Sequence, residues 1–257
     1  MNLKKISSFV LYSALTALFT ISLSCSDSVS DEFEEVNGSV DKKLLQSISV
    51  ISAQDATENR SIIFSYDSQD RLTSINDGVE SNIIIYENGE ISGAANSSGN
   101  VTVEELYASP YDAFETGDVI EYDNNGNPSK LAFFEYEYDF ELQSEIQVVY
   151  TAEISYDNKP NPYYFTLDSA GIIDVLDGIR LNLSMAPQPV ELIRARALFP
   201  LNNPSQIIYK NESGEIIYTL NIDYSYDGDY PVSASIIALS LIDSQTNAYS
   251  ANFTYTD

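Results

Sequence analysis

"FEYEYDFEL", residues 134–142, alternates without a break: every even position from Phe134 to Leu142 is aromatic or aliphatic, and every odd one is acidic. Successive side chains of a β-strand point to opposite faces, so as a strand this segment has one apolar face and one row of carboxylates. As a helix, the same residues would scatter charge around all sides. After Gln143 and Ser144 the alternation resumes, with Ile146, Val148, Tyr150, Ala152, Ile154 and Tyr156 on the apolar face. The two runs predict a long β-hairpin.

The same period of two extends outward from Gln46 to the end of the chain. It predicts strands over 61–66, 71–76, 82–86, 101–107, 118–122, 205–209, 216–226, 232–241 and 248–255. Between them stand "DSQDR", "ENGE", "NSSGN", "DNNGNP", "NESGE" and "YDGDYP". Gly, Asn, Asp and Pro supply the positive or fixed φ that tight reversals need. Short connections make sequential neighbours antiparallel. The chain is therefore expected to be all-β, an antiparallel meander of about ten to twelve strands, curled or partly closed into a barrel to bury one face.

An irregular repeat runs through the turns. "FSYDSQDRL" at 64–72, "IIYENGEI" at 84–91, "IEYDNNGNPSKL" at 120–131, "ISYDNKPNPYYF" at 154–165, "IIYKNESGEI" at 207–216 and "YSYDGDYPV" at 224–232 share one plan. Each ends a strand with tyrosine, turns over an Asp/Asn/Gly cluster and starts again, the ring packing at the sheet end while its hydroxyl reaches the turn or water. One segment departs from the pattern. Within 167–199, Ile172, Ile173, Leu176 and Ile179 have the three- and four-residue spacing of a short amphipathic helix, and Val190 to Leu198 has a second helical tendency. This helical insertion, with Arg180, Arg194 and Arg196, is expected to cap one end of the curled sheet.

The amino-terminal segment carries Lys4 and Lys5, then an uncharged stretch from Ile6 to Leu23 interrupted by Ser and Thr, the order of a secretory signal. The only cysteine, Cys25, follows Ser24 and heads the acidic, polar stretch "SDSVSDEFEE". The expected organisation is a signal peptide over 1–24, an acidic disordered tether over 25–43 and one β domain over 44–257. Without 1–24, ten basic residues face 39 acidic ones. That balance repels nucleic acid and anionic lipid heads and favours cationic partners.

Two resemblances follow from these residues. The segment around Cys25 resembles the lipobox of bacterial lipoproteins, although the usual leucine three residues before the cysteine is Ser22 here. It implies acylation of Cys25 and attachment to the outer membrane through it. The acidic residues after the cysteine resemble the export signal that sends Bacteroidetes lipoproteins to the outer surface, the periplasmic face being the alternative. The "YD" turns resemble the YD repeats of RHS-type secreted proteins. More closely, "YDNKPNPYYFTL" at 156–167 and "YSYDGDYPV" resemble an uncharacterised family of Bacteroidetes lipoproteins with a porin-like, curled antiparallel sheet, over about 44–257. That resemblance implies a fold and no activity. Asp27-Ser28-Val29 and Asp168-Ser169-Ala170 also resemble the short O-glycosylation sequon of Bacteroidetes, a match of only three residues.

The chain contains no histidine, which excludes Ser-His-Asp and Cys-His catalysis and zinc sites built on imidazole. No glycine-rich loop opens a helix, so phosphate-cradling motifs are missing and no cofactor is expected. No catalytic residue and no metal ligand is assigned. The row Glu135, Glu137, Asp139, Glu141 with Glu145 and Glu153 reads as a solvated face rather than a calcium site. "DNNGN" at 123–127 reads as a turn, because position twelve of a calcium loop would be Phe134. Nineteen tyrosines suggest ring stacking on sugars, though tryptophan is absent. Tyr163 and Tyr164, after two prolines, are the candidate ligand-binding residues at an open sheet end. The expected function is a non-catalytic surface module for a glycan or protein. A structural spacer is the alternative, and a carboxylate-based hydrolase is a third.

Overall fold

The computed structural model describes residues 29–79, 81–96, 99–102, 117–174 and 199–256. Thirteen strands form one antiparallel sheet: β1 (Leu45–Ser52), β2 (Arg60–Tyr66), β3 (Leu72–Asn76), β4 (Ser81–Glu87), β5 (Glu90–Asn96), β6 (Gly99–Thr102), β7 (Gly117–Tyr122), β8 (Pro128–Asp139), β9 (Ser144–Pro160), β10 (Asn202–Lys210), β11 (Ile216–Asp227), β12 (Tyr230–Ser240) and β13 (Thr246–Tyr255). The count exceeds the expected ten to twelve. β1 and β5 are the additional strands, and β5 is hard to read because Gly93, Ala94 and Ala95 stand where β-branched residues would mark a strand.

The spatial order is β6-β5-β4-β3-β2-β1-β13-β12-β11-β10-β9-β8-β7, so the first and last strands pair in the middle of the sheet and β6 and β7 form its open edges. Laid flat at about 4.8 Å per strand, those edges would stand about 58 Å apart. The fourteen residues 103–116 that join them reach about 50 Å when fully extended. Connectivity alone therefore forces the sheet to curl, as expected, and among the described residues it does not close into a barrel.

Register defines the concave face. Ala152 lies opposite Tyr209, which lies opposite Tyr218. The next rows are Ile154–Ile207–Leu220–Ala238, Ile222–Ile236–Tyr249 and Tyr224–Ala234–Ala251–Val50. Ala152, Ala234, Ala238 and Ala251 are all buried. Toward the other half of the sheet this face continues into a core of Leu45, Ile48, Phe64, Leu72, Ile84 and Ala94.

The register of the β8–β9 hairpin corrects the expected carboxylate row. Glu145 lies opposite Tyr138 and Glu153 opposite Lys130, while Glu135 and Glu137 lie opposite Val148 and Ile146. Acids do not face acids across this hairpin, because the turn register sets the pairing and a shift by one residue exchanges the two rows.

A second correction concerns 25–43. Val29–Asn37 is a helix, α1, rather than disordered tether, with Val29 and Phe33 almost fully buried. The acids made the stretch look like a solvated linker. Within it Val29, Phe33 and Val36 repeat at four and three residues, Asp31 and Glu32 occupy the favourable first turn, and Gly38 closes the helix at φ 68° with its N–H on the Glu34 carbonyl. α1 packs on a short helix, α2 (Tyr164–Asp168), and on Ile173 and Leu201. Residues 172–174 are also helical. The insertion therefore begins as a cap, as expected; its remainder, 175–198, lies outside the described residues, as do the signal segment and Cys25.

Candidate functional site

The capped end of the sheet is where the sequence repeat acts. Tyr66 ends β2 and donates its hydroxyl to the carbonyl of Leu45, the first residue of β1, at 2.6 Å. Tyr86 in β4 donates to Leu72, the first residue of β3, at 2.6 Å. Tyr156 in β9 donates to Pro128, the first residue of β8, and Tyr255 in β13 to Pro231 in β12, both at 2.8 Å. Four hairpins that open at this end are thus stapled by a tyrosine on the returning strand, whereas in the β10–β11 hairpin Tyr226 reaches Asp157 of β9 instead. Burial raises the pKa of all four hydroxyls above the ordinary tyrosine value. The turn residue after the tyrosine acts in the same way twice: Asp67 accepts from the N–H groups of Gln69 and Arg71, and Asp123 from those of Asn125 and Asn127. Asp123 is occupied by its own turn, as the turn reading of "DNNGN" required.

A buried asparagine network locks the cap to the strands. Asn127, fully buried, accepts from the N–H groups of Leu201 at 2.7 Å and Asn202 at 3.2 Å. Its amide donates to Asp123 at 3.0 Å and to the Asn202 side chain at 2.9 Å. Asn202 in turn donates to Asn37 of α1 and to the Lys159 carbonyl, both at 3.1 Å. Asn203 donates to the Lys159 and Pro160 carbonyls, and Tyr226 donates to Asp157. Every one of these asparagines has partners, which is what burial of an amide demands. The network is structural, and sequence reading saw only turn formers in it because its bonds cross about 75 residues of chain.

The two tyrosines proposed from sequence part company. Tyr164 is 6% exposed, its ring stacked on Phe33 with centroids 3.6 Å apart. It belongs to the cap core. Tyr163 is 37% exposed, with its ring edge-on to Phe64 of the concave face at 6.3 Å. Desolvation raises its hydroxyl pKa even so. Tyr163 thus stands at the capped end of the concave face with part of its ring in water, the place called here the floor of the cup.

The walls of that cup are half-buried tyrosines. Tyr209 and Tyr218 meet edge to face at 5.9 Å, and Tyr224 lies 6.4 Å from Phe253. Tyr249 donates to Glu58 at the rim, at 3.0 Å. The concave rows given above, from β9 across to β1, contain no charged residue, in a chain of net charge −27. From β9 across to β1 this face is therefore a surface of aliphatic side chains, rings and hydroxyls, with charge entering at its margin, where Arg60 of β2 lies opposite Val50 and Glu58 meets Tyr249. Such a lining suits a neutral, amphipathic ligand.

The convex face is the opposite. One row runs Ser225–Ser233–Asn252–Ser49–Ser61, and the next holds exposed Asp223, Ser235 and Ser250. A barrel wall facing hydrocarbon carries an apolar outer band about 25 Å tall. Across β11, β12, β13, β1 and β2 those two rows carry mainly hydroxyls, an amide and a carboxylate, with exposed Ile51, Ile63 and Ile237 on the same face.

No family model matches the chain, and no curated protein matches it. Among solved structures the chain is similar to a porin-like protein from Bacteroides uniformis ATCC 8492, at 13% identity and a TM-score of 0.38 over 82% of this chain and 98% of that one. It is also similar to a porin-like protein from Bacteroides vulgatus ATCC 8482, at 11% identity and a TM-score of 0.35 over 84% of this chain and 99% of that one.

Proposed function

We propose that this chain is a non-catalytic envelope protein, anchored in the outer membrane through acylated Cys25, which binds a neutral glycan in the tyrosine-lined cup above Tyr163. The observation that carries the reading is the cup itself: uncharged from β9 to β1, aromatic and wetted at its floor, in a chain where one residue in five is charged. Tyrosine offers both a ring to a sugar face and a hydroxyl to its edge. The anchor rests on the signal segment and the position of Cys25. α1 supports an orientation: it starts four residues after Cys25, at most about 14 Å of chain. α1 is packed on the capped end, so an acyl group on Cys25 holds that end toward the membrane and turns the mouth of the cup away from it.

The test is a thermal-shift screen of the chain against neutral and acidic oligosaccharides, repeated with Tyr163→Ala. A ligand at 100 times its Kd stabilises the folded state by about 2.7 kcal/mol. For about 210 residues that is a rise of about 5–10 °C. Neutral sugars should raise the melting temperature of the wild-type chain and leave Tyr163→Ala unmoved. Shifts confined to acidic sugars, or equal shifts in the variant, refute the cup as the site. Silence with every sugar favours the spacer reading. Acylation is checked separately, by the mass of the protein extracted from membranes and its release by Cys25→Ser.

A further inference from the structure

Among the described residues, the β8–β9 hairpin outgrows the strands on either side of it. β10 ends opposite Thr151 of β9, and β7 begins opposite Phe133 of β8. β8 and β9 nevertheless go on pairing from Phe134–Val149 to Asp139–Ser144. At 3.4 Å per residue this ribbon carries the hairpin about 20 Å beyond the described ends of both neighbours. Along its β9 edge no strand lies among the described residues, and the first N–H past β10, that of Val149, is met by the Glu212 side chain at 3.0 Å.

A two-stranded ribbon is marginal in water, and this one exposes large apolar groups at its tip. Tyr138 is 53% exposed, Phe140 85% and Leu142 67%, and the two rings lie edge to face with centroids 5.1 Å apart. Residues 134–145 contain five acids and no base. We propose that this arm is a docking element for a protein partner that offers an apolar pocket rimmed by lysine or arginine. An exposed aromatic anchor beside charges is the composition of an interface centre with its rim. The charge selects the occupant. A second copy of this chain, nucleic acid and anionic lipid all carry the same sign as the arm. The arm lies past the strands that form the cup, so this interaction is independent of the glycan site.

The test selects a random twelve-residue phage-displayed peptide library on the full chain, counter-selected on the variant Tyr138→Ser, Phe140→Ser, Leu142→Ser. These side chains are exposed, and equal melting temperatures confirm that the variant is folded. The expected result is a set of peptides with Lys or Arg beside an aromatic or aliphatic residue. They should bind the wild-type chain at least tenfold tighter than the tip variant, and Glu137→Gln with Glu141→Gln should weaken them about as much with the rings intact. Selected peptides without basic enrichment, equal binding to the tip variant, or no discriminating peptide at all overturns the proposal. Preferential partition of the wild-type chain over the tip variant into phosphatidylcholine vesicles also overturns it, and assigns the tip to lipid.

Discussion

Replacing Asn127 with alanine tests whether the cap network holds the two ends of the meander together. The substitution removes four hydrogen bonds from a side chain with no solvent exposure. Two partners recover: Asp123 keeps the N–H groups of residues 125 and 127, and the Asn202 carbonyl oxygen keeps the Asn125 amide at 3.1 Å. Two do not: the N–H groups of Leu201 and Asn202 lose their acceptor inside the cap. An unsatisfied buried donor costs about 1–3 kcal/mol, so the loss should be about 3–4 kcal/mol, partly offset if water enters. Single domains are stable by about 5–15 kcal/mol, and a change of this size lowers the melting temperature by about 6–15 °C. The assay is urea unfolding followed by far-ultraviolet circular dichroism, since the chain has no tryptophan. Asn124→Ala, an exposed position in the same turn, should stay within about 0.5 kcal/mol of wild type. A loss below about 1 kcal/mol for Asn127→Ala, or equal losses at both positions, refutes the argument that these bonds matter because they are buried.

Two other outcomes follow from the cap. Phe33→Ala removes a ring that is 1% exposed and stacked on Tyr164, and should destabilise α1 docking by about 3 kcal/mol; hydrogen exchange should rise over 29–37 and leave β10 to β13 unchanged, whereas uniform loss of protection would show that the cap and sheet unfold as one. The stapling tyrosines have native pKa values above the unfolded value of about 10, so the native state holds their protons longer. Their contribution is full below pH 10 and lost as pH rises above it. Urea midpoints should fall steeply above pH 10, and Tyr156→Phe, which costs about 1 kcal/mol at pH 7, should flatten that fall; an unchanged alkaline slope would remove Tyr156 from the account.

Much of the fold was legible because a half-buried strand writes its burial into every second residue. The segments at 61–66, 216–226 and 232–241 emerged as β2, β11 and β12 with boundaries within two residues. β5 was not legible, since Ala94 fits the crowded concave face beside Ile84 by being small, and smallness leaves no periodic signal. α1 was hidden for the opposite reason: its buried Val29 and Phe33 were outnumbered by the acids of its wet side. Of the two candidate tyrosines, the structure leaves Tyr163 partly exposed and buries Tyr164. Adjacent residues at a helix start point about 100° apart, and nothing in "NPYYF" says which ring meets Phe33.

The sequence by itself determined that this chain is an all-β meander of tyrosine-ended strands with no imidazole chemistry, because alternation, turn residues and the absence of histidine are properties of the string. Only the tertiary structure decided which strands become neighbours across the chain ends, that Val29–Asn37 folds back as a cap, where the tyrosine hydroxyls bond, and that uncharged rows line one face from β9 to β1 in an acidic protein. Those outcomes depend on contacts between residues separated by tens to hundreds of positions, such as Asn37 with Asn202 and Tyr230 with Asp41. Their free energy exists only when the sheet has curled, and no local pattern records it in advance.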